Sequence, residues 1–237
     1  MMRPGIVILA FCVLGSSGTA EVTSVSGVVS VVRKTKGPAD NGEVAIWLTP
    51  LAEPGQRSHE TPLPRVQLKI VQKHKRFEPH FLVVPVGSAV DFPNLDPFFH
   101  NVFSLFNGNR FDLGLYEAGT SRRVPFTRPG ICYIFCNIHP EMSAVVLVVD
   151  TPYYAVSNRA GEFTVPNVPE GRYVLSVWHE RYTLERPNDF PRDVRIPQAS
   201  AALGIIRLIE SDQVIAPHTN KYGHGYNPPP SGPIYKN

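Results

Sequence analysis

Proline and glycine interrupt this chain too often for long helices to form. The 237 residues include 24 prolines and 18 glycines, which occur throughout the chain. Between them lie short runs of Val, Ile, Leu, Phe and Tyr, and no long segment repeats its apolar residues with the period of a helix. Because proline lacks the amide hydrogen that helices and central strands use, this punctuation favours short strands joined by turns. We therefore predict an all-β fold of sandwiches or barrels, with at most a helical turn.

The first 20 residues are typical of a secretory signal peptide. Arg3 precedes an apolar run over residues 6–14, and Gly18-Thr-Ala20 supplies small residues for cleavage. The apolar run is shorter than the roughly 20 residues that a membrane span needs. We therefore expect an exported protein without a membrane span, periplasmic or alternatively secreted.

The charge of the chain is close to balanced, with a formal net charge of +3. Such a value gives no reason to expect nucleic acid as a partner. The basic run Lys73-His-Lys-Arg76 is short, and we interpret it as the solvated end of a strand.

Two cysteines, Cys132 and Cys136, follow the signal peptide. An even count in an exported protein usually suggests a disulfide. If residues 131–136 form an extended strand, however, the two Cα atoms lie roughly 13 Å apart, whereas a disulfide needs less than about 7 Å. We therefore expect both thiols to be unpaired, Cys136 as a metal ligand and Cys132 as a small buried apolar residue.

The segment Cys136-Asn-Ile-His139-Pro-Glu-Met142 stands between two apolar β runs, and His100 lies next to another predicted strand. One thiolate, two imidazoles and one thioether are the ligands of a blue-copper electron-transfer site. Taken singly, each residue has an ordinary interpretation, since a cysteine is often structural, a histidine often lies in a loop and a methionine often packs in a core. Their joint placement favours one copper ion.

Four further motifs carry a family resemblance. They are Phe77-Glu-Pro-His80, Val86-Gly-Ser-Ala-Val90, Asn94 with His100-Asn-Val102, and Pro129-Gly-Ile-Cys-Tyr-Ile-Phe-Cys136. Together with the Cys-x2-His-x2-Met spacing, they make residues 65–149 similar to a complete small cupredoxin, closest to amicyanin and more distantly to plastocyanin. The resemblance implies a Greek-key β-sandwich that holds one type 1 copper ion.

The same resemblance assigns roles to five residues. It implies that His100, Cys136 and His139 are the equatorial copper ligands and that Met142 is the axial ligand. Asn101 would steady the site through its backbone N–H to the thiolate sulfur and through its side chain across the ligand loops. One departure from the family is the bulky pair Phe98-Phe99 before His100, which would bury the site further or shape a docking face.

Residues 153–180 carry a second resemblance, in Asn158-Arg-Ala-Gly-Glu-Phe163, Val168-Pro-Glu-Gly-Arg-Tyr-Val-Leu175 and Trp178-His-Glu180. These motifs are similar to carboxypeptidase regulatory-like, or transthyretin-like, β-sandwich modules. Such modules begin with two further strands, which residues 27–32 and 43–48 would supply. We therefore predict one sandwich from residues 21–64 plus 150–210, with the copper domain (65–149) inserted in it. A tandem arrangement is the alternative.

Residues 211–237 have little apolar sequence to pack and are predicted to form an extended or disordered tail. The leading function is that of a periplasmic carrier of single electrons between transient redox protein partners. One alternative is a copper carrier or delivery protein, with His218 and His224 as a capture arm, and another is a metal-free interaction module. We do not expect an enzyme, because the chain lacks the His-x-His pair of larger copper centres, a Ser-His-Asp signature and a phosphate loop.

Overall fold

The computed structural model describes seven stretches of the chain, and all regular secondary structure in them is β-strand. The described residues are 22–33, 41–51, 67–106, 108–186, 190–198, 200–211 and 219–226. The all-β prediction is confirmed for these stretches, and no helix in them could cross a membrane. The predicted signal peptide lies outside the described residues.

Eighteen strands are present in the described stretches. In chain order they are β1 (Val22–Val32), β2 (Ala45–Pro50), β3 (Gln67–Lys69), β4 (Val71–Lys73), β5 (Arg76–Glu78), β6 (Phe81–Pro85), β7 (Ala89–Pro93), β8 (His100–Ser104), β9 (Phe111–Tyr116), β10 (Ser121–Pro125), β11 (Gly130–Phe135), β12 (Ser143–Val149), β13 (Tyr154–Val156), β14 (Glu162–Pro169), β15 (Gly171–Trp178), β16 (Tyr182–Leu184), β17 (Arg192–Ile196) and β18 (Ala201–Glu210).

The strands nearest the two ends of the chain pair with each other. β1 lies between β14 and β18, in a four-stranded sheet with the order β14-β1-β18-β16. β2 lies between β13 and β15, in a second sheet with the order β13-β2-β15-β17. Side chains of both sheets share one buried core, which includes Val29, Ile46, Phe163 and Leu175. These strands therefore form one β-sandwich.

The ten strands from β3 to β12 form the remaining sheets. Their orders are β6-β12-β11-β8-β9 and β10-β7-β3, and β4 pairs with β5 as a hairpin. They enclose a separate core that includes Phe92, Val102, Ile134 and Val146. From these pairings we infer that β3 to β12 form a unit inserted between β2 and β13, as predicted for the copper domain, and we prefer this arrangement to a tandem. We call this unit the inserted sandwich, and the sandwich that contains β1, β2 and β13 to β18 the terminal sandwich.

A third apolar cluster joins the two sandwiches. Its buried members are Ala45, Val83, Leu147 and Val149, and Trp47, Phe81, Ile131, Tyr154 and Trp178 pack against them. Side chains alternate between the two faces of a strand, so Val146 of β12 faces its own core while its neighbour Leu147 faces this interface. This double burial explains why β12 is a continuous apolar run rather than an alternating one.

A polar contact completes the interface beside this cluster. His80 Nε2 lies 2.7 Å from Glu180 Oε2, and His80 Nδ1 lies 3.0 Å from the carbonyl oxygen of Ser143. The hydrogen bond to Glu180 raises the pKa of His80 above its ordinary value of 6.5, although burial acts in the opposite direction. His80 thus links β12 to the end of β15 in the other sandwich.

This ion pair predicts a pH dependence of stability. A histidine whose pKa is raised on folding stabilises the fold fully below its unfolded pKa of about 6.5, and the contribution is lost as the pH rises through the folded pKa. Glu180→Gln should therefore lower the free energy of unfolding at pH 5.5 and have a smaller effect at pH 8.5. The side chains are 41% and 17% exposed, so we expect at most about 1 kcal/mol.

Urea unfolding at both pH values measures this difference. Glu185→Gln is the matched control, because Glu185 is exposed and no ion pair involving its side chain is found among the described residues. An effect of Glu180→Gln that is equal at the two pH values, or equal to that of the control, would contradict the assignment.

Candidate metal centre

Three donor atoms converge at one end of the inserted sandwich. His100 Nδ1 lies 3.1 Å from His139 Nδ1, and Cys136 Sγ lies 3.7 Å from His139 Nδ1 and 4.0 Å from His100 Nδ1. A point equidistant from the three atoms lies about 2.1 Å from each, within the range of about 2.0–2.3 Å at which imidazole nitrogen and thiolate sulfur bind zinc. The triangle therefore has the size that one metal ion requires.

The local chain path brings these donors together. His100 opens β8, and Cys136 directly follows β11, which is bridged to β8 through Phe135 and Phe103. The loop that follows is closed by two backbone hydrogen bonds, from Cys136 N to Met142 O at 3.2 Å and from Met142 N to His139 O at 3.1 Å. Because of this tight turn, the side chain of His139, which follows Cys136 by three residues, lies beside the Cys136 sulfur.

Burial differs among the donors. Cys136 and His100 are fully buried, whereas His139 is partly exposed. Ile138 and Phe99, which directly precede His139 and His100 in the chain, are 40% and 45% exposed. Of the three donor residues, His139 is therefore the one that solvent and other molecules can reach.

The two imidazoles favour their neutral form. Burial lowers the pKa of His100, and the hydrogen bond to Asp96 opposes this only in part. Burial, followed by the charge of His100, lowers the pKa of His139 as well. Since a metal binds the neutral imidazole, the environment leaves a nitrogen lone pair available on each ring at neutral pH.

Burial also raises the pKa of the Cys136 thiol. The backbone N–H groups of Asn101, Ile138 and His139 point towards the sulfur and act in the opposite direction, but the balance remains upward. A thiolate at this position thus requires a cation beside it, and metal binding would release the thiol proton.

Asp96 is the residue of this site that the sequence prediction missed. Its carboxylate is buried, with Oδ2 2.8 Å from His100 Nε2. The same carboxylate accepts the backbone N–H groups of His74 and Lys75, at 2.6 and 2.9 Å. Burial alone would raise the pKa of Asp96, but these N–H groups and His100 lower it on balance. A carboxylate four residues before a ligand histidine is the signal that could have identified it.

The contact with Asp96 fixes the state of the His100 ring. Because Nε2 faces a carboxylate, it carries the ring hydrogen and leaves Nδ1 as the free donor towards Cys136 and His139. Phe98 packs on both rings, with centroid distances of 5.2 Å to His100 and 5.8 Å to His139. Of the bulky pair, Phe98 is thus half-buried against the site while Phe99 is exposed.

Asn101 contacts the sulfur through its backbone, whereas its side chain points elsewhere. The side-chain Nδ2 donates to Asp112 Oδ1 at 2.7 Å and to the Gly114 carbonyl at 2.9 Å. Both acceptors lie on β9, so the side chain does not bridge the ligand loops as the family resemblance implied. It anchors the start of β8 to the edge strand instead.

The remaining sulfur atoms occupy the core around the site. Met142 is fully buried in the same apolar cluster as Cys136. Cys132 is buried too, with Sγ 3.1 Å from Ser104 Oγ, and burial raises the pKa of its thiol to about 11. Both Cys132 and Cys136 are unpaired, which confirms the prediction that they do not form a disulfide.

Comparisons with known proteins give partial structural similarity. No family model matches the chain, and no curated protein matches it. A purple cupredoxin from Nitrosopumilus maritimus is 22% identical with a TM-score of 0.32, over 35% of this chain and 100% of its own. A reduced amicyanin variant is 23% identical with a TM-score of 0.33, over 35% of this chain and 82% of its own. A copper-containing nitrite reductase from Thermus scotoductus is 25% identical with a TM-score of 0.35, over 51% of this chain and 28% of its own.

These similarities are too limited to assign the chain to a family.

The described part of the predicted tail is ordered against the site. Residues 219–226 form a hydrogen-bonded turn, and Tyr226 Oη donates to the carbonyl of Cys136 at 2.7 Å. The prediction of an extended or disordered segment does not hold for these residues. Polar contacts, which the apolar content of the tail does not indicate, hold them in place.

Asp96→Asn should weaken metal binding without removing a ligand. The amide replaces one acceptor oxygen by an NH2 group, so either His100 Nε2 or a backbone N–H of the hairpin loses its partner. Loss of such a supporting contact lowers metal affinity by about 10- to 100-fold. A competition titration of Cu(II) against a chelator measures the change.

Asp91→Asn is the matched control, because Asp91 pairs with the exposed Arg123 on β10. The control should keep the affinity of the unmodified protein. Equal affinities of the two variants would show that Asp96 does not support the site.

Proposed function

We propose that this protein is a type 1 copper protein that carries single electrons between other redox proteins. The observation that carries the proposal is the triangle of His100 Nδ1, Cys136 Sγ and His139 Nδ1, whose three sides measure 3.1–4.0 Å. One thiolate with two imidazoles is the donor set of blue-copper sites. Among the described residues, these three form the one group of His, Cys, Asp or Glu with donor atoms close enough for a metal.

His100, Cys136 and His139 would hold the ion, and Met142 is the candidate axial ligand. Met142 follows on the same closed loop and is fully buried in the cluster that contains Cys136. A copper ion bound there would supply one-electron chemistry, alternating between Cu(II) and Cu(I). The protein would contribute the fixed positions of its donor groups.

The fixed donors suit electron transfer because the ligands need not move when the charge changes. The His100 ring is held by Asp96 on one side and by Phe98 on another. The backbone of the Cys136–Met142 loop is closed by its own hydrogen bonds. Asn101 N–H supports the sulfur. A site that is already organised in this way has little reorganisation left to undergo.

Electrons would pass through the exposed edge of His139. Ile138, which directly precedes His139, and Phe99, which directly precedes His100, are 40% and 45% exposed and would offer apolar contact to transient redox protein partners. We infer that the protein acts as a carrier and not as an enzyme, and that it works in the periplasm. The terminal sandwich would serve as a scaffold, and its relation to carboxypeptidase regulatory-like modules stays a prediction.

Adding Cu(II) to the purified protein should produce an intense visible band from thiolate-to-copper charge transfer. Cys136→Ser should abolish this band, because it removes the one sulfur that lies in the donor triangle. Absorption spectroscopy measures the band, and far-UV circular dichroism checks that the variant remains folded.

Cys132→Ala is the matched control for a buried thiol. Cys132 lies in the same core but its sulfur contacts Ser104 rather than the two histidines. The control should keep the band. A band that survives Cys136→Ser, or that disappears equally in Cys132→Ala, would refute the assignment of Cys136.

Voltammetry separates electron transfer from copper delivery. Because the donors are fixed, we expect a reversible wave over repeated cycles, with all copper retained in the reduced protein. Metal analysis after the last cycle checks the retention. Loss of the ion on reduction would favour a delivery protein instead, and no copper uptake at all would favour a metal-free interaction module.

A further inference from the structure

The segment of residues 219–226 is a turn with its own internal order. Asn220 N donates to the carbonyl of His224 at 2.8 Å, and Gly223 N donates to the carbonyl of Asn220 at 2.9 Å. Asn220 Oδ1 also accepts the N–H groups of Tyr222 and His224, at 2.9 and 3.1 Å. Gly223 has φ +80°, which suits a glycine in a turn. The segment therefore has hydrogen bonds of its own, in addition to those that it makes with the rest of the chain.

This turn contacts the metal-binding loop at two consecutive residues. Tyr226 Oη donates to the Cys136 carbonyl at 2.7 Å. Lys221 N donates to Asn137 Oδ1 at 2.9 Å. The contacts join residues 84 and 90 positions apart in the sequence, so they are tertiary and not a local feature of the tail.

A third contact joins the turn to Asp112, which is hydrogen-bonded to the strand that carries His100. Lys221 Nζ lies 2.7 Å from Asp112 Oδ2, and Asp112 Oδ1 accepts Asn101 Nδ2 at 2.7 Å. The backbone N–H of Asn101 points in turn at the sulfur of Cys136. The turn thus contacts Cys136 and Asn137 at the start of the metal loop. It also contacts Asp112, which is hydrogen-bonded to Asn101, and the backbone N–H of Asn101 points at the thiol.

We propose that residues 219–226 are a strap that positions the metal-binding loop, with Tyr226 and Lys221 as its positioning residues. The inference rests on the proposed copper site, whose ligands the strap does not itself supply. Tyr226 holds the backbone carbonyl of Cys136, and Lys221 holds Asn137 and Asp112. The strap therefore limits the movement of the loop between β11 and β12 from outside the sandwich.

Tyr226→Phe tests the strap by removing one hydroxyl. Tyr222→Phe is the matched control, because Tyr222 belongs to the same turn and is 69% exposed, and because the substitution keeps the ring that lies 5.3 Å from Lys221 Nζ. In the metal-free protein, hydrogen–deuterium exchange of the amides of residues 137–139, 141 and 142 should become about threefold to tenfold faster in Tyr226→Phe, the factor that loss of one hydrogen bond gives. The control should exchange like the unmodified protein.

The copper-loaded variants provide a second readout. Tyr226→Phe should shift the reduction potential and the charge-transfer band relative to Tyr222→Phe, since the Cys136 carbonyl belongs to the ligand residue itself. Asn220→Ala, which disrupts the turn, should change both readouts in the same direction. It keeps the test decisive if Tyr226→Phe folds poorly.

Equal exchange rates and equal reduction potentials in Tyr226→Phe and Tyr222→Phe would overturn the proposal that residues 219–226 position the loop. An unmodified protein that takes up no copper would overturn the proposed function instead. The exchange experiment on the metal-free protein would then still decide whether residues 219–226 restrain the loop.

Discussion

The carboxylate of Asp96 is the contact on which the geometry of the site depends. It accepts hydrogen bonds from His100 Nε2 and from the backbone N–H groups of His74 and Lys75. A buried carboxylate is costly unless such donors surround it, so the hairpin β4–β5 and the start of β8 must stay together. Lys75 Nζ lies 5.7 Å from the centre of the Phe98 ring, which packs on both ligand histidines. The Asp96 carboxylate thus determines which nitrogen of the His100 ring carries the hydrogen, and it also holds the backbone of the turn at His74 and Lys75.

The position of β12 explains how a small loop acquires a fixed orientation. β12 follows the metal loop directly, with one face in the core of the inserted sandwich and the other against the terminal sandwich. His80 adds a polar link, since it contacts both Ser143 at the start of β12 and Glu180 of the other unit. Movements of the loop are therefore resisted by β12 at one end, and by the turn containing Tyr226 at the other.

Sequence reasoning found the features that depend on local pattern. The fold brings the donor atoms of Cys136, His139 and the separate His100 together. Met142 is buried in the same apolar cluster as Cys136. The strand predicted within residues 43–48 is likewise present as β2, where Ile46 packs in the core of the terminal sandwich and Trp47 packs at the interface between the two sandwiches. Continuous apolar runs such as β12 have no alternation of apolar and polar residues. They predict that a strand is present but not which face of it packs against which core.

The features that sequence reasoning missed depend on pairing between distant residues. Asp96 stands four residues before His100, which is a local signal, but its hydrogen bonds to the backbone of residues 74 and 75 cannot be predicted from side-chain identity. The tail was predicted from its composition alone, but Tyr226 contacts the metal loop, and Lys221 contacts both the metal loop and β9. Composition predicts how much apolar surface a segment can bury, not whether a few hydrogen bonds order it.

X-ray absorption at the copper edge of the copper-loaded full chain tests the central claim most directly. We expect the copper ion to have one sulfur neighbour at short distance, from Cys136, and two imidazole nitrogen neighbours, from His100 and His139. A spectrum with nitrogen and oxygen neighbours alone, without a short copper–sulfur distance, would contradict it.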